Sequence, residues 1–456
     1  MSINPKVFKA YDIRALSPEE LDADFAYTFG QAFVKFTKAQ TVVVGRDMRQ
    51  TTPMLFDALS KGILSQGADV VDIGLVTTPM FYYAVGDYDL HDAGIMITAS
   101  HNPSEYNGFK MVFGDVMPIG AETGMWDVRE LTMAGPYPVK PEGHVVTTGV
   151  QDAYVRKLLT LIDTERLRPL KVVVDTANGM EGVVISDILD QIKGVTWEGM
   201  YLEPDGRFPN HEANPLKEET LDALKKKILE TGADIGVAYD GDADRVGLVD
   251  EKGEIVRGDM ILALLAPVLL EKNPGEKVLY TVNCSMIVPE EITVAGGRPL
   301  FTRVGHGLLK PHMRKENALF AGELSCHFFF RELHNAECAD LVMLSVFALM
   351  TRTGKTLSEL VAPLKRYFHS GEINSTVEDK DAVLAALEAK YAPLATTINK
   401  IDGIRMDFRD PVDPMGDWWW NVRASNTEPL LRLNLEAKTK GKMEEMRDEL
   451  LKIIRG

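Results

Sequence analysis

One pattern occurs three times between Thr41 and Phe328, and it limits the fold more than any other feature of the chain. Each copy reads strand, helix, strand, helix, strand, and ends in a polar loop. The first copy runs TVVVGRD (Thr41 to Asp47), GADVVDIG (Gly67 to Gly74) and AGIMITASHNP (Ala93 to Pro103). The second runs KVVVDTANG (Lys171 to Gly179), GVTWEGMYLEPDG (Gly194 to Gly206) and ADIGVAYDGDADR (Ala233 to Arg245). The third runs KVLYTVNCS (Lys277 to Ser285), GGRPLFTRVGHG (Gly296 to Gly307) and ALFAGELSCHF (Ala318 to Phe328).

Short β-rich apolar runs alternate here with amphipathic helical patterns such as PMLFDALSKGILSQG and ETLDALKKKILETG. That alternation implies a mainly parallel α/β sheet in each copy. In open α/β sheets ligands sit beyond the carboxyl ends of strands. Each third strand empties into a polar loop, carrying Ser100, then Asp240/Asp242/Asp244, then Glu323/Ser325. Three repeats therefore aim three different chemistries at one cleft. After about residue 368 the pattern changes to a helix, a short strand GIRMDF, then WWWNVRASNTEP, LLRLNLEAK and a closing helix. This predicts a small α+β domain with an antiparallel sheet, in which Trp418 to Trp420 are strand core. The Pro- and Gly-rich stretch from 135 to 149 is a candidate boundary after the first repeat.

The chain has 456 residues and 45% apolar content, enough at about 150 residues per domain for roughly three domains, give or take one. Its net charge of −17 repels phosphate backbones at long range, which argues against a nucleic-acid partner. An anionic small substrate would need a local basic pocket inside this acidic shell. Cys284, Cys326 and Cys338 show no metal-site spacing and no disulfide framework, which suits a reducing cytoplasm. The N-terminus has no apolar stretch of the kind a signal peptide carries, and the longest apolar run, Met260 to Leu270, is too short to span a bilayer. The expectation is a soluble cytoplasmic protein with no membrane partner.

Asp240, Asp242 and Asp244 place three carboxylates at i, i+2 and i+4 directly after an apolar strand. Unpaired, they would repel one another and take up protons. A hard divalent cation removes that cost, and oxygen-only ligands suit Mg²⁺. Glu251 falls at position 12 of an EF-hand-like loop, but Arg245 occupies position 6, where the sharp turn needs glycine. Without a cation, the segment would be a solvated acidic turn.

Ser100 closes a buried strand in the turn TASHNP and is a candidate nucleophile. Taken alone, a serine there is more often a turn or helix-cap residue. It is not in a G-x-S-x-G elbow, which disfavours acyl transfer. The following YNGFK brings Lys110 near the same loop. GELS offers Glu323 and Ser325 to paired sugar hydroxyls, though a surface turn would read the same way. RASNTEP (Arg423 to Pro429) offers a guanidinium fork, two hydroxyls, an amide and backbone N–H groups, which suits a phosphate dianion; the bland alternative is a polar hairpin turn. Arg303, His306 and Lys310 cluster after another strand, where an isolated histidine is more often a capping or packing residue.

Together these segments resemble the α-D-phosphohexomutase family, in its bacterial phosphomannomutase/phosphoglucomutase branch. The resemblance spans essentially the whole chain, from FKAYDIR through TASHNP, YNGFK, DGDADR and GELS to RASNTEP. It implies an α/β fold: three related mixed-sheet α/β domains around a cleft plus a C-terminal α+β domain. The domains would cover residues 1–145 (phosphoserine), 146–255 (metal), 256–367 (sugar) and 368–456 (phosphate). By the match Ser100 is the phosphorylated serine, and Asp240, Asp242, Asp244 and a phosphoserine oxygen hold Mg²⁺. Arg14, Lys110 and Arg245 lie near the transferring phosphoryl group, with Arg14 and Lys110 both candidates for assisting the proton. Tyr11, Arg303, Glu323 and Ser325 face substrate, as does His306, and Arg423, Ser425, Asn426 and Thr427 hold the non-reacting phosphate. Three positions depart from the family pattern: Ala15 where glycine is usual, Cys326 where a small residue is usual, and Asn283 where many relatives carry a basic residue, for which Arg303 compensates.

The implied reaction interconverts hexose 1- and 6-phosphates through a hexose 1,6-bisphosphate, which also serves as activator. Mannose and glucose differ by one hydroxyl's orientation, and the sugar loop suits both. Phosphoglucosamine mutases are the nearest competitor, with Leu324 and Asn426-Thr427 leaning toward hexoses. A phosphatase using Asp240 or Asp242 as nucleophile leaves TASHNP and RASNTEP unexplained, and the intact Ser100, three-aspartate loop and Arg245 argue against a silent sugar-phosphate-binding protein.

Overall fold

The structure, a computed structural model, describes residues 3–88, 91–141, 143–409, 412, 414–424 and 430–456. Ser425, Asn426 and Thr427 of the expected phosphate loop lie outside the described residues.

The three sequence repeats fold into three sheets built on one plan. In the first, strand Thr41–Arg46 pairs in parallel with Asp69–Leu75 on one side and Ala93–Ile97 on the other. In the second, Leu170–Asp175 pairs in parallel with Val195–Met200 and Ile235–Tyr239. In the third, Lys277–Thr281 does the same with Arg298–Thr302 and Phe320–Gly322. The strand Ala93–Ile97, Ile235–Tyr239 or Phe320–Gly322 then turns back into an antiparallel partner: Tyr106–Phe113, Val246–Asp250 or Phe328–Phe330. Each sheet is therefore mixed, and each polar loop is the turn of that antiparallel hairpin. The buried strands Ala93–Ile97 and Ile235–Tyr239 are apolar on both faces, as strands covered by helices must be.

The first sheet extends to Ile13–Leu16 at one edge and Val145–Thr147 at the other, so the Pro- and Gly-rich stretch contributes a strand. The last sheet is antiparallel, ordered Phe368–His369, Leu430–Ala437, Trp418–Ala424, Ile404–Phe408, Thr397–Asn399. Trp419 and Trp420 are fully buried in it, and Trp418 stacks on Phe408 with ring centroids 4.1 Å apart. One apolar core runs continuously through parts of the first three sheets, joining Phe81, Val172, Leu262 and Phe347, whereas the last sheet has its own core around Trp420 and Leu433. The hairpin turns of the first three units are thus held against one another by shared packing, and the C-terminal unit docks on them. Among the described residues, no helix is long and apolar enough to cross a membrane.

Candidate active site

The three hairpin turns converge. Ser100, buried at 2% exposure, adopts a left-handed φ of 51° at the end of its strand and donates from Oγ to Asp240 Oδ2 at 2.7 Å. The turn is held from behind by Arg49, whose guanidinium is fully buried. It donates to four carbonyl oxygens of the serine loop: Ser100 (2.8 Å), Asn102 (2.7 Å), Pro103 (2.7 Å) and Tyr106 (2.9 Å). Its remaining Nε donates to Asp47 at 3.2 Å. Gly241 lies against the same loop, where a Cβ would meet Ser100 O at 2.4 Å.

Asp240, Asp242 and Asp244 are buried, and one oxygen from each lies within 4.8 Å of the others. The tight turn between strands, with Ala243 at a left-handed φ of 59°, folds all three toward one point. Asp240 Oδ1 accepts the backbone N–H groups of Asp244 and Arg245. Asp242 Oδ2 accepts from Thr78 and Lys110, each at 2.6 Å, and Lys110 Nζ also donates to Asp244 Oδ2 at 2.5 Å. Burial and the neighbouring Asp244 and Asp242 charges push Asp240 up to about 8. Burial acts on Asp244 too, but Lys110 and His327 overturn it and hold its carboxyl well below the usual range. Asp242 Oδ1 and Asp244 Oδ1 are buried with no hydrogen-bond donor among the described residues. Three buried carboxylates, two with an oxygen left over, are a hard all-oxygen donor set that fits Mg²⁺.

His101 and Arg245, the chain neighbours of Ser100 and Asp244, open onto a cleft of about 630 Å³ that the serine and the three aspartates do not themselves line. Tyr11, Arg245, His306, Glu323, Ser325 and Arg423 all line it, together with Arg257 and Arg432. Four arginines against the cleft carboxylates of Glu323 and Glu372 make the local basic pocket that an acidic chain needs for an anionic ligand. Arg14 does not line the cleft; it donates to Asn102 Oδ1 of the serine loop at 2.7 Å and pairs with Asp12. Tyr11 donates to Val304 O at 3.1 Å and packs its ring on His306. Burial, then Lys310 and Lys110, hold His306 well below the usual imidazole range, so it is neutral. Glu323 accepts Gly305 N–H at 2.7 Å and the Ser325 hydroxyl at 2.7 Å.

Arg303 stands apart from this group. It does not line the cleft, and its guanidinium is committed to Glu122 on the first unit. Ala15 is a strand residue opposite Asn107, and Cys326 takes a φ of 65°, where glycine would sit without strain. Burial raises the Cys326 thiol to about 12. Asn283 lines the cleft.

Sequence reasoning missed several residues. His327 bridges two turns: its Nδ1 lies 2.9 Å from Glu323 Oε2 and its Nε2 3.3 Å from Asp244 Oδ1. Burial alone would lower this imidazole, but Asp244 and Glu323 raise it to about 9. Arg245 Nε also lies 3.1 Å from the same Nε2, so the ring ties this arginine and both turns into one buried cluster. Its signal was available, since Glu323, Ser325 and His327 alternate as the three aspartates do. Thr78, Arg49 and Glu337 gave no local signal; Glu337 is the buried partner, at 2.5 Å, of Lys310, which the sequence had grouped with His306.

Profiles of all four phosphoglucomutase/phosphomannomutase domains match in order: alpha/beta/alpha domain I over residues 5–126, domain II over 152–253, domain III over 257–367 and the C-terminal domain over 372–453. The chain belongs to the phosphoglucomutase/phosphomannomutase family, the α-D-phosphohexomutases. It is 40% identical over 443 residues to a phosphomannomutase of Salmonella montevideo, covering 95% of each chain. It is 38% identical over 455 residues to a Xanthomonas campestris protein named for phosphohexose mutases, covering 98% of this chain and 99% of that one. A crystal structure of a phosphoglucomutase/phosphomannomutase family protein from Burkholderia thailandensis superposes with a TM-score of 0.89 at 32% identity, covering 99% of this chain and 97% of that one. The chain is accordingly a mutase of the phosphotransferase kind, with hexose phosphate mutase activity in carbohydrate metabolism.

Proposed function

We propose that the enzyme interconverts the 1- and 6-phosphates of mannose and glucose through a phosphoserine at Ser100 and a hexose 1,6-bisphosphate intermediate. The observation that carries this reading is Ser100 Oγ lying 2.7 Å from Asp240, directly behind His101 and Arg245, which line a cleft shared with Arg257, Arg423 and Arg432.

Phosphoryl transfer asks for in-line positioning and charge neutralisation more than for covalent help from the protein. Phosphorylated Ser100 donates to the free hydroxyl of a bound hexose 1-phosphate. The sugar oxygen bonds to phosphorus as the Ser100 Oγ–P bond breaks. The proton released by the sugar ends on Ser100 Oγ, the leaving oxygen, and travels back when the other phosphate returns to the serine; Lys110 and Arg14, both cations with N–H groups to donate, assist that movement by their charge. Arg245 balances charge on the transferring group, and His306 contributes a neutral imidazole beside it. Asp240, Asp242, Asp244 and a phosphoserine oxygen would hold Mg²⁺, which when bound supplies positive charge next to the phosphoryl oxygens. Glu323 and Ser325 take sugar hydroxyls beside Tyr11, and Arg423 with Ser425, Asn426 and Thr427 grips the phosphate that is not reacting. A free hexose 1,6-bisphosphate recharges Ser100 whenever the intermediate escapes, hence its role as activator. All three cysteines are free and buried, which fits a cytoplasmic setting, and the acidic surface fits a protein with phosphosugar ligands and no nucleic-acid or membrane partner.

The test is a mutase assay with Mg²⁺ and catalytic glucose 1,6-bisphosphate on mannose, glucose and glucosamine 1-phosphates in parallel. Turnover of the first two supports the reading. Turnover of glucosamine 1-phosphate alone would reassign the sugar, and net phosphate release without isomerisation would overturn the mutase cycle. Arg423→Ala should raise KM more than it lowers kcat.

A further inference from the structure

The turn Asp402-Gly403-Ile404-Arg405 sits where the C-terminal unit meets the third, and its contacts reach beyond its own sheet. Arg405 is 1% exposed although it crosses between two units. Its Nη1 donates to Val282 O at 2.7 Å and to Cys284 O at 2.9 Å. Its Nε and Nη2 donate to Asp407 Oδ1 at 3.3 and 3.2 Å, and its face lies 3.7 Å from the Trp419 ring centroid. The two carbonyls flank Asn283, whose side chain is 4% exposed, lines the cleft and leaves Oδ1 without a partner among the described residues. From the same turn, Asp402 Oδ2 accepts Val304 N–H at 2.9 Å, two residues before His306. Gly403 takes a φ of 65°, and a Cβ there would meet Val422 O at 2.2 Å and Arg423 Cα at 2.6 Å. One turn thus abuts the strand that delivers Arg423 and grips two of the three strand-end loops of the third unit that line the cleft.

We infer that Arg405 is a positioning residue: it clamps the backbone on both sides of Asn283 so that this amide meets a hydroxyl of the bound hexose. Seating of the C-terminal unit and presentation of Asn283 then become a single event. A buried acceptor left unpaired is costly, and a sugar hydroxyl is a donor that removes the cost. Only a planar guanidinium spans two carbonyls on one side and a carboxylate on the other; a lysine ammonium cannot. The inference rests on the cleft being the hexose-phosphate site.

The experiment compares wild type, Asn283→Ala, Arg405→Lys and the double variant with glucose 1-phosphate as variable substrate, alongside thermal melting. Loss of one hydrogen bond predicts that each single variant raises KM about tenfold with kcat little changed. Because both act through the same amide, the double variant should lie within about twofold of Asn283→Ala. Effects that multiply to about a hundredfold, or an Arg405→Lys protein with lowered melting temperature and unchanged KM, would overturn the inference. If Arg405→Lys does not fold, Asn283→Ala alone decides, since an unchanged KM refutes the contact. Should wild type show no turnover, the reaction assigned above fails, and calorimetric binding of glucose 1-phosphate to the same four proteins still reads the coupling.

Discussion

Arg49→Lys should disable the serine loop without removing any group from the cleft. The substitution keeps a positive charge beside Asp47, but an ammonium has three donors and one is needed for that carboxylate. At least two of the four carbonyls now served at 2.7–2.9 Å lose their partner. At about 1.5–3 kcal/mol for each hydrogen bond to a charged group, the loop loses about 3–6 kcal/mol of local support. Ser100 is held at a φ of 51°, a conformation costing a non-glycine residue about 1–3 kcal/mol, so the released loop has a reason to relax. About 3 kcal/mol appearing in the barrier corresponds to a fall in turnover of about a hundredfold or more. The assay pairs mutase kinetics with hydrogen exchange read on the peptide spanning 98–106. Exchange should quicken there and stay unchanged in the strand Trp418–Ala424, with KM little altered. Turnover within about threefold of wild type, with protection of that peptide intact, would refute the clamp; the threefold limit is about 0.65 kcal/mol.

Three further outcomes follow from the same geometry. Gly241→Ala puts a methyl 2.4 Å from Ser100 O, and the resulting separation of the two turns should cost about a hundredfold in turnover while melting barely moves; normal kinetics would contradict the close approach. Thr78→Val removes the hydroxyl that donates to Asp242 at 2.6 Å and should raise the Mg²⁺ needed for half-maximal turnover by about tenfold or more, with excess Mg²⁺ restoring the rate and chelation abolishing it; an unchanged Mg²⁺ titration would count against the aspartate site. His211 is opposed by burial but raised overall by its hydrogen bond to Asp175, so it stabilises the fold below the unfolded imidazole value of about 6.5, and that contribution is lost as pH rises through the raised folded value. His211→Gln should therefore lower the melting temperature at pH 5.5 and approach wild type well above neutrality; a difference that grows with pH would reverse the sign.

The repeats were legible because each ends its parallel strands in an antiparallel hairpin whose turn carries consecutive polar residues. Asp240, Asp242 and Asp244 announced themselves by their spacing directly after an apolar strand, and it is the tight turn between two buried strands that gathers their carboxylates. His306, Glu323 and Arg423 could be placed on the cleft because each lies in or beside a strand-end loop, whereas Tyr11, ahead of the strand Ile13–Leu16, was placed there only by the family resemblance. Arg49 could not, because its value lies in carbonyls more than fifty residues away, and a carbonyl leaves no trace in residue type. Thr78 reaches Asp242 across 164 positions for the same reason. Arg303 follows a strand as the others do, but its stem carries the guanidinium outward to Glu122, a pairing that only the approach of the first and third units creates.

The central claim is that Ser100 carries the phosphoryl group. It is tested most directly by incubating wild type and Ser100→Ala with radiolabelled glucose 1,6-bisphosphate and Mg²⁺, then mapping the label. The account predicts acid-stable phosphate on Ser100 of the wild type, chased off by unlabelled glucose 1-phosphate, and neither label nor mutase turnover in a folded Ser100→Ala protein. Label on Asp240 or Asp242 in a hydroxylamine-sensitive form, or full turnover without Ser100, would contradict it.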